Sequence, residues 1–109
     1  MTEAAEKNDL AFLCDASEPV EGEGFRVELP NFPALAVFKY DDKFFVIDDK
    51  CSHGNASLCD GDVDGCEVEC PFHAGAFNFM TGEPTAAPCT VPVRTYEARV
   101  VEGKLYMVI

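Results

Sequence analysis

Basic residues are scarce in this sequence: eight Lys and Arg stand against twenty Asp and Glu, which gives a formal net charge of −12. A surface this negative repels phosphate groups, which argues against nucleic acids and anionic membranes as partners and favours basic patches on other proteins. Long apolar runs are also missing, since none approaches the about 18 consecutive residues that a membrane helix needs. The first nine residues lack the basic and then apolar pattern of a secretion signal. We therefore expect a cytoplasmic protein.

Helical periodicity is missing as well, and no linker rich in Gly and Ser or internal repeat divides the 109 residues. A chain of this length has room for one domain with one core. Short apolar runs instead alternate with turn residues, which is typical of strands. The predicted strands cover residues 10–14, 25–29, 34–38, 44–47, 66–70, 76–79, 93–101 and 105–109. The pattern predicts an all-β fold.

Local signals refine this prediction at four places. Asp41-Asp42 and Glu102-Gly103 each separate two predicted strands and are typical of hairpin turns. Alternation along residues 66–70 places the thiols and Val68 on one face of a strand and two glutamates on the other. From Thr81 to residue 92, three prolines predict an ordered loop or cover rather than a helix or a central strand.

Cysteine and histidine are distributed in a pattern that indicates metal binding. Six cysteines in a cytosolic chain favour metal or redox use over a disulfide framework. The only two histidines follow cysteines closely, so that Cys51, His53, Cys70 and His73 form the pattern C-x-H-x16-C-x2-H. Each short loop therefore carries one sulfur and one nitrogen donor.

The donor types leave two kinds of site open. Thiolate and imidazole together suit an iron–sulfur cluster or a tetrahedral zinc. Structural zinc sites usually place two cysteines together and two histidines together, and this chain has no C-x2-C pair. Two mixed loops suit a binuclear cluster in which one iron takes both thiolates and the other takes both imidazoles, which is the Rieske arrangement. A structural zinc domain stays as the less favoured alternative.

The two loops resemble those of a known family. The sequence CSHGNA at residues 51–56, CPFHAGAF at residues 70–77 and the Thr81-Gly82 that follows are similar to the cluster loops of Rieske ferredoxins from bacterial aromatic-ring-hydroxylating dioxygenase systems. The likeness to the biphenyl and phenylpropionate dioxygenase ferredoxins extends over nearly the whole chain. This resemblance implies one Rieske-type [2Fe–2S] cluster.

The resemblance also implies a site and a fold. Cys51 and Cys70 would bind the inner iron, and His53 and His73 would bind the outer iron through Nδ1 near the surface. The fold would be a single Rieske domain over residues 1–109, made of a β-sandwich or barrel base and a small cluster-binding subdomain at about residues 48–80. A proline loop near residues 85–91 would shield the cluster.

The function implied by the resemblance is electron transfer rather than catalysis. The protein, expected to be a monomer, would take one electron from a flavin-containing reductase and deliver it to the terminal Rieske oxygenase. An oxygenase itself needs a further iron site with two histidines and a carboxylate, and both histidines of this chain are already assigned to the cluster. A non-catalytic Rieske subunit of another redox enzyme, similar to that of nitrite reductase, remains the alternative.

The remaining cysteines match no ligand position. Cys14, Cys59, Cys66 and Cys89 are predicted to be small buried side chains without a redox role. The bc-type Rieske proteins have a disulfide and two hydroxyl donors beside the cluster. The corresponding positions here hold Ala56, Phe72, Gly75 and Phe77. The absence of the disulfide and of the hydroxyl donors predicts a low reduction potential for a Rieske centre.

Overall fold

Short strands make up most of the regular structure in the computed structural model, which describes residues 10–52, 54–72 and 75–109. The strands are, in chain order, β1 (Leu10–Asp15), β2 (Phe25–Val27), β3 (Leu35–Tyr40), β4 (Lys43–Asp48), β5 (Val63–Asp64), β6 (Glu67–Glu69), β7 (Ala76–Asn78), β8 (Pro84–Ala86), β9 (Thr95–Tyr96), β10 (Ala98–Val101) and β11 (Lys104–Val108). The described residues contain one helical turn, the 3₁₀ helix Leu58–Asp60, and none of their helices is long and apolar enough to cross a membrane. The predicted all-β class is confirmed.

The strands form three antiparallel sheets. The base sheet has the order β1-β11-β10, the middle sheet β2-β3-β4-β9, and the outer sheet β5-β6-β7-β8. One core lies between the base and middle sheets and contains Leu35, Val37, Leu105 and Met107. A second core lies on the other side of the middle sheet, beneath the outer sheet.

Strand β3 is buried on both faces because it belongs to both cores. Its side chains alternate, so that Leu35 and Val37 enter the base core whereas Ala36 and Phe38 enter the outer core. The apolar run Leu-Ala-Val-Phe is therefore required on both faces, as expected of a central strand. The outer sheet therefore packs on the middle sheet.

Aromatic rings join the outer sheet to the middle sheet. Phe79, just after β7, is 1 % exposed and stacks on Phe38 with ring centroids 4.6 Å apart and an interplanar angle of 5°. Tyr40 meets the same ring edge-on at 6.1 Å, and Phe45 is tilted against it at 5.8 Å. Such ring pairs add to the free energy gained by burial alone. Phe79 therefore joins the outer sheet to β3 and β4.

The predicted hairpin turns are present. Asp41 and Asp42 connect β3 to β4 with φ values of 57° and 61°, and Glu102 and Gly103 connect β10 to β11 with φ values of 52° and 78°. Two consecutive positive φ values match the type I′ turn, whose twist suits tight antiparallel hairpins. Aspartate tolerates this conformation better than most side chains, which explains a turn made without glycine.

Two sequence-based predictions of secondary structure are wrong. Residues 93–101 were expected as one strand, but the chain divides at Glu97 into β9, which pairs with β4, and β10, which pairs with β11. The division lets the chain pass from the middle sheet to the base sheet. Pro84–Ala86 was expected as loop, but it forms β8, which pairs with β7 as the last strand of the outer sheet. Proline is tolerated there because an edge strand has unpaired positions.

The other predicted strands begin and end within two residues of the observed bounds, and β5 was not predicted. Strand β5 has two residues, which is too short for a periodic pattern to be recognised. The subdomain predicted at about residues 48–80 overlaps the outer sheet and the loops beside it. Its boundaries stay a prediction.

Candidate metal centre

Two loops that contain the predicted cysteine ligands close in the same way. The backbone N–H of Cys51 donates to the carbonyl of Ala56 at 2.9 Å, and the backbone N–H of Cys70 donates to the carbonyl of Gly75 at 2.5 Å. Each bond thus joins a cysteine to the residue five positions further along the chain. His53 and His73, the other two predicted ligands, lie outside the described residues.

The first loop leaves the end of β4 and returns into the 3₁₀ helix. Lys50 and Ser57 form an isolated antiparallel bridge that closes its base. Beyond the bridge, the N–H of Leu58 donates to the carbonyl of Asp49 at 2.7 Å, and the Leu58 side chain is fully buried. The middle sheet and the outer core therefore hold this loop at both ends.

A buried carboxylate supports the first loop, and sequence reasoning missed it. Asp49 is 2 % exposed, and its Oδ1 accepts the backbone N–H of Cys59 at 3.0 Å. Its Oδ2 lies 3.7 Å from the Arg26 guanidinium, which is half-exposed. A buried charge requires such partners. The sequence gives no sign of this role, because Asp48-Asp49 resembles any acidic pair at the end of a strand.

Replacing Asp49 by alanine should destabilise the protein by about 2 kcal/mol, because the partly buried N–H of Cys59 loses a charged acceptor. Asp49→Asn is the matched control, since its amide oxygen can still accept that N–H, and it should cost about half as much. Urea unfolding followed by circular dichroism measures both. Equal stability of the alanine variant and the unaltered protein would show that Asp49 does not support the loop.

The second loop is the tip of a hairpin in the outer sheet. Glu69 pairs with Ala76 at the ends of β6 and β7, and residues 70–75 connect them. Val68 and Cys70 are buried, whereas Glu67 and Glu69 are exposed, which confirms the predicted alternation. Cys70 points inward because it continues the apolar face of β6. Phe72, at the tip of the same loop, is 62 % exposed.

Three buried thiols come together between these loops and the outer core. Cys51 and Cys70 are each 1 % exposed, Cys89 is 4 % exposed, and all three belong to the outer core. The sulfur atoms of Cys51 and Cys89 are 3.9 Å apart. Burial, together with the neighbouring thiols of Cys51 and Cys70, raises the pKa of Cys89 to about 12. Cys89 was predicted to be buried, but its contact with Cys51 was not foreseen.

The other cysteines lie elsewhere. Cys14 is buried in the base core, as predicted, and burial raises its pKa to about 11. Cys59 is half-buried, and the pKa of its thiol is raised by burial and by the neighbouring carboxylate of Asp49. Cys66 is half-buried in the turn between β5 and β6. Among the described cysteines, Cys51, Cys70 and Cys89 are those that meet beside both loops.

The proline-containing segment between β8 and β9 covers the first loop. The Ser52 hydroxyl donates to the carbonyl of Val91 at 2.5 Å, and the N–H of Val93 donates to the carbonyl of Gly82 at 2.9 Å. Cys89 lies two residues before the first of these attachments, and its sulfur packs against that of Cys51. The segment is therefore ordered against the predicted cysteine ligand.

The described donors fit the sulfur half of a metal centre. Thiolates are soft ligands that suit iron–sulfur clusters, and buried, well-supported cysteines from two loops are what such a site requires. Within residues 10–52, 54–72 and 75–109, no three His, Cys, Asp or Glu side chains are grouped closely enough to hold a metal ion by themselves. The predicted pattern needs nitrogen donors as well, and the two histidines predicted for that role lie outside the described residues.

Comparisons with known proteins indicate the family of this chain. The Rieske [2Fe–2S] domain profile matches residues 9–97. The ferredoxin component of the p-cumate 2,3-dioxygenase system of Pseudomonas putida is 43 % identical over 106 residues, which cover 96 % of this chain and 90 % of that protein. The Sphingomonas yanoikuyae B1 ferredoxin structure is 41 % identical with a TM-score of 0.88, covering 90 % of this chain and 96 % of that one.

A third relative is the ferredoxin in the complex of reduced oxygenase and oxidised ferredoxin in carbazole 1,9a-dioxygenase. It is 43 % identical with a TM-score of 0.87, covering 92 % of this chain and 93 % of that chain. Family and relatives together confirm the cofactor expected from the sequence, a Rieske-type [2Fe–2S] cluster. They also confirm the expected role of an electron carrier without catalytic activity of its own. The chain belongs to the Rieske [2Fe–2S] family and, within it, to the ferredoxin components of aromatic-ring dioxygenase systems.

Proposed function

We propose that Cys51 and Cys70 bind one iron of the cluster as thiolates and that His53 and His73 bind the other through imidazole nitrogen. The observation that carries this proposal is the identical closure of the two loops, each of which buries one thiol. The C-x-H and C-x2-H patterns place one histidine inside each closed loop. Two thiolates and two neutral imidazoles make the cluster less negative than four thiolates, which raises its reduction potential relative to plant-type ferredoxins.

The bound cluster supplies storage of a single electron. The chain holds the two ligand loops in place. The middle sheet fixes the first loop, the outer sheet fixes the second, and the proline-containing segment covers the first. In an anaerobic titration with dithionite, each chain should therefore take up one electron. The bleaching of the visible absorption measures this uptake. Uptake of no electron, or of two, would contradict a single Rieske centre.

We propose two protein partners, a flavin-containing reductase as electron donor and a terminal Rieske oxygenase as acceptor. The support is the relative that forms a complex with its oxygenase and the relative that is the ferredoxin component of a dioxygenase system. The donor is proposed because a one-electron carrier needs a source that can divide the electron pair of a nicotinamide, which flavins do. Cytoplasmic location and a monomeric state stay predictions.

Negative charge lies beside the second loop. Asp60, Asp62, Glu69 and Phe72 line an open cavity of about 570 Å³ next to Cys70. Charges at such a place act mainly on the rate at which partners meet, because complementary charge steers diffusion. We propose that this acidic rim orients a basic surface of the reductase toward the second loop.

Reduction by the reductase should slow about tenfold when ionic strength rises from about 20 to about 200 mM, because salt screens the steering charges. Asp62→Asn with Glu69→Gln should flatten this dependence. Glu102→Gln with Glu97→Gln is the matched control, since it removes the same charge from exposed positions flanking β10 in the base sheet. Stopped-flow absorption, with the reductase of the p-cumate dioxygenase system, measures the rates. An equal salt slope for both double variants would contradict the assigned rim.

A further inference from the structure

Cys89 lies in direct contact with a proposed cluster ligand, although it matches no ligand position itself. Its sulfur is 3.9 Å from that of Cys51, within the range of a sulfur–sulfur hydrogen bond, and the residue is 4 % exposed. It belongs to the segment between β8 and β9, far from Cys51 in the sequence. The contact is therefore made by the tertiary fold.

The surroundings hold the Cys89 sulfur in this place. Its backbone N–H donates to the carbonyl of Ala86 at 3.2 Å, and two residues later the carbonyl of Val91 accepts the hydroxyl of Ser52. On the other side, a Cβ at Gly75 would collide with the Cys89 sulfur. Glycine in the second loop thus leaves the room that this sulfur occupies. Both ligand loops and the covering segment meet at Cys89.

The direction of the hydrogen bond follows from the chemistry of the pair. Either thiol can donate while both carry a proton. A cysteine that binds iron does so as thiolate and has no proton left, so Cys51 can only accept. Of the two sulfur atoms in this hydrogen bond, that of Cys89 is the one not proposed as a ligand, so it is left to supply the proton. The Cys89 S–H is therefore the donor and the Cys51 sulfur is the acceptor.

We propose that Cys89 is a positioning residue that raises the reduction potential of the cluster by donating its S–H to the Cys51 sulfur. The proposal rests on the ligand role of Cys51 given above. Hydrogen bonds to the sulfur atoms of a cluster are among the factors that set its potential. A donor stabilises the reduced state more than the oxidised state, because the reduced cluster carries one more negative charge.

The test compares midpoint potentials of three variants by protein-film voltammetry. Cys89→Ala removes the donor and should shift the equilibrium threefold to tenfold toward the oxidised state, where tenfold is about 59 mV for one electron. Cys89→Ser keeps a donor of similar size, and its potential should equal or exceed that of the unaltered protein. Cys14→Ala is the matched control, because this buried cysteine belongs to the base core, and it should leave the potential unchanged.

Two results would overturn the role of Cys89. One is an unchanged potential in Cys89→Ala with an intact Rieske electron paramagnetic resonance (EPR) signal. The other is a potential of Cys89→Ser below that of the unaltered protein, which would assign the effect to packing alone. The serine variant gives this answer even if the alanine variant loses its cluster. Failure of the underlying ligand assignment is distinguishable, since the unaltered protein would then lack the Rieske signal.

Discussion

Replacing either Cys51 or Cys70 by serine should give a protein without the visible absorption and EPR signal of a Rieske cluster. Each replacement removes one of the two thiolates proposed for the same iron, and a serine hydroxyl is a poor substitute for a soft sulfur ligand. Iron and acid-labile sulfide should fall from about two of each per chain to near zero. His53→Ala and His73→Ala should have the same result, because each removes a nitrogen ligand of the other iron.

Cys66→Ser is the matched control for the cysteine variants. Cys66 lies in the turn between β5 and β6 of the same outer sheet, is half-buried, and is not among the proposed ligands. The variant should retain its iron, its sulfide and its spectrum. A Cys51→Ser or Cys70→Ser variant that keeps the unaltered EPR spectrum would show that the ligand assignment is wrong. Loss of the cluster in Cys66→Ser alone would point to a different set of thiolates.

Replacing Phe79 by alanine should lower the free energy of unfolding by about 3–5 kcal/mol, because it removes a fully buried ring and leaves a cavity. The ring stacks on Phe38 and also contacts Tyr40 and Phe45, so the loss falls on the contact between the outer sheet and the middle sheet. The second ligand loop is the tip of a hairpin in that outer sheet. The variant should therefore also release its cluster more rapidly on warming.

Two other variants make this effect specific. Phe79→Leu fills most of the space and should lose less stability than the alanine variant. Phe12→Ala changes a ring that is 49 % exposed in the base sheet and should cost less than about 1 kcal/mol. Guanidinium unfolding monitored by circular dichroism compares the three. Similar losses in Phe79→Ala and Phe12→Ala would contradict the role of Phe79 in joining the sheets.

The features that depend on neighbouring residues could be predicted from the sequence. Alternation along residues 66–70 correctly placed Cys70 inward, because side chains in any strand alternate between two faces. The Asp41-Asp42 and Glu102-Gly103 turns were recognised because a two-residue hairpin restricts the residue types it can use. The four ligands were selected by the spacing of cysteines and histidines, and their assignment stays a proposal.

The features that depend on distant parts of the chain could not be predicted in this way. Strand β8 forms beside β7 at the edge of the outer sheet, and an edge strand tolerates proline. The sequence near Pro84 does not indicate that the segment lies at this edge. Asp49 supports the first loop through the backbone of Cys59, and Cys89 reaches Cys51 across 38 residues. Periodicity and propensity contain no information about such contacts, because they are made only when the three sheets assemble.

The most direct test of the account is the EPR spectrum of the dithionite-reduced protein, recorded with iron, sulfide and zinc analysis of the same sample. Two sulfur and two nitrogen ligands at a binuclear cluster predict about two irons and two acid-labile sulfides per chain, with a mean g value below that of all-cysteine [2Fe–2S] ferredoxins. A colourless protein that holds one zinc per chain and no inorganic sulfide, even after anaerobic reconstitution, would contradict it.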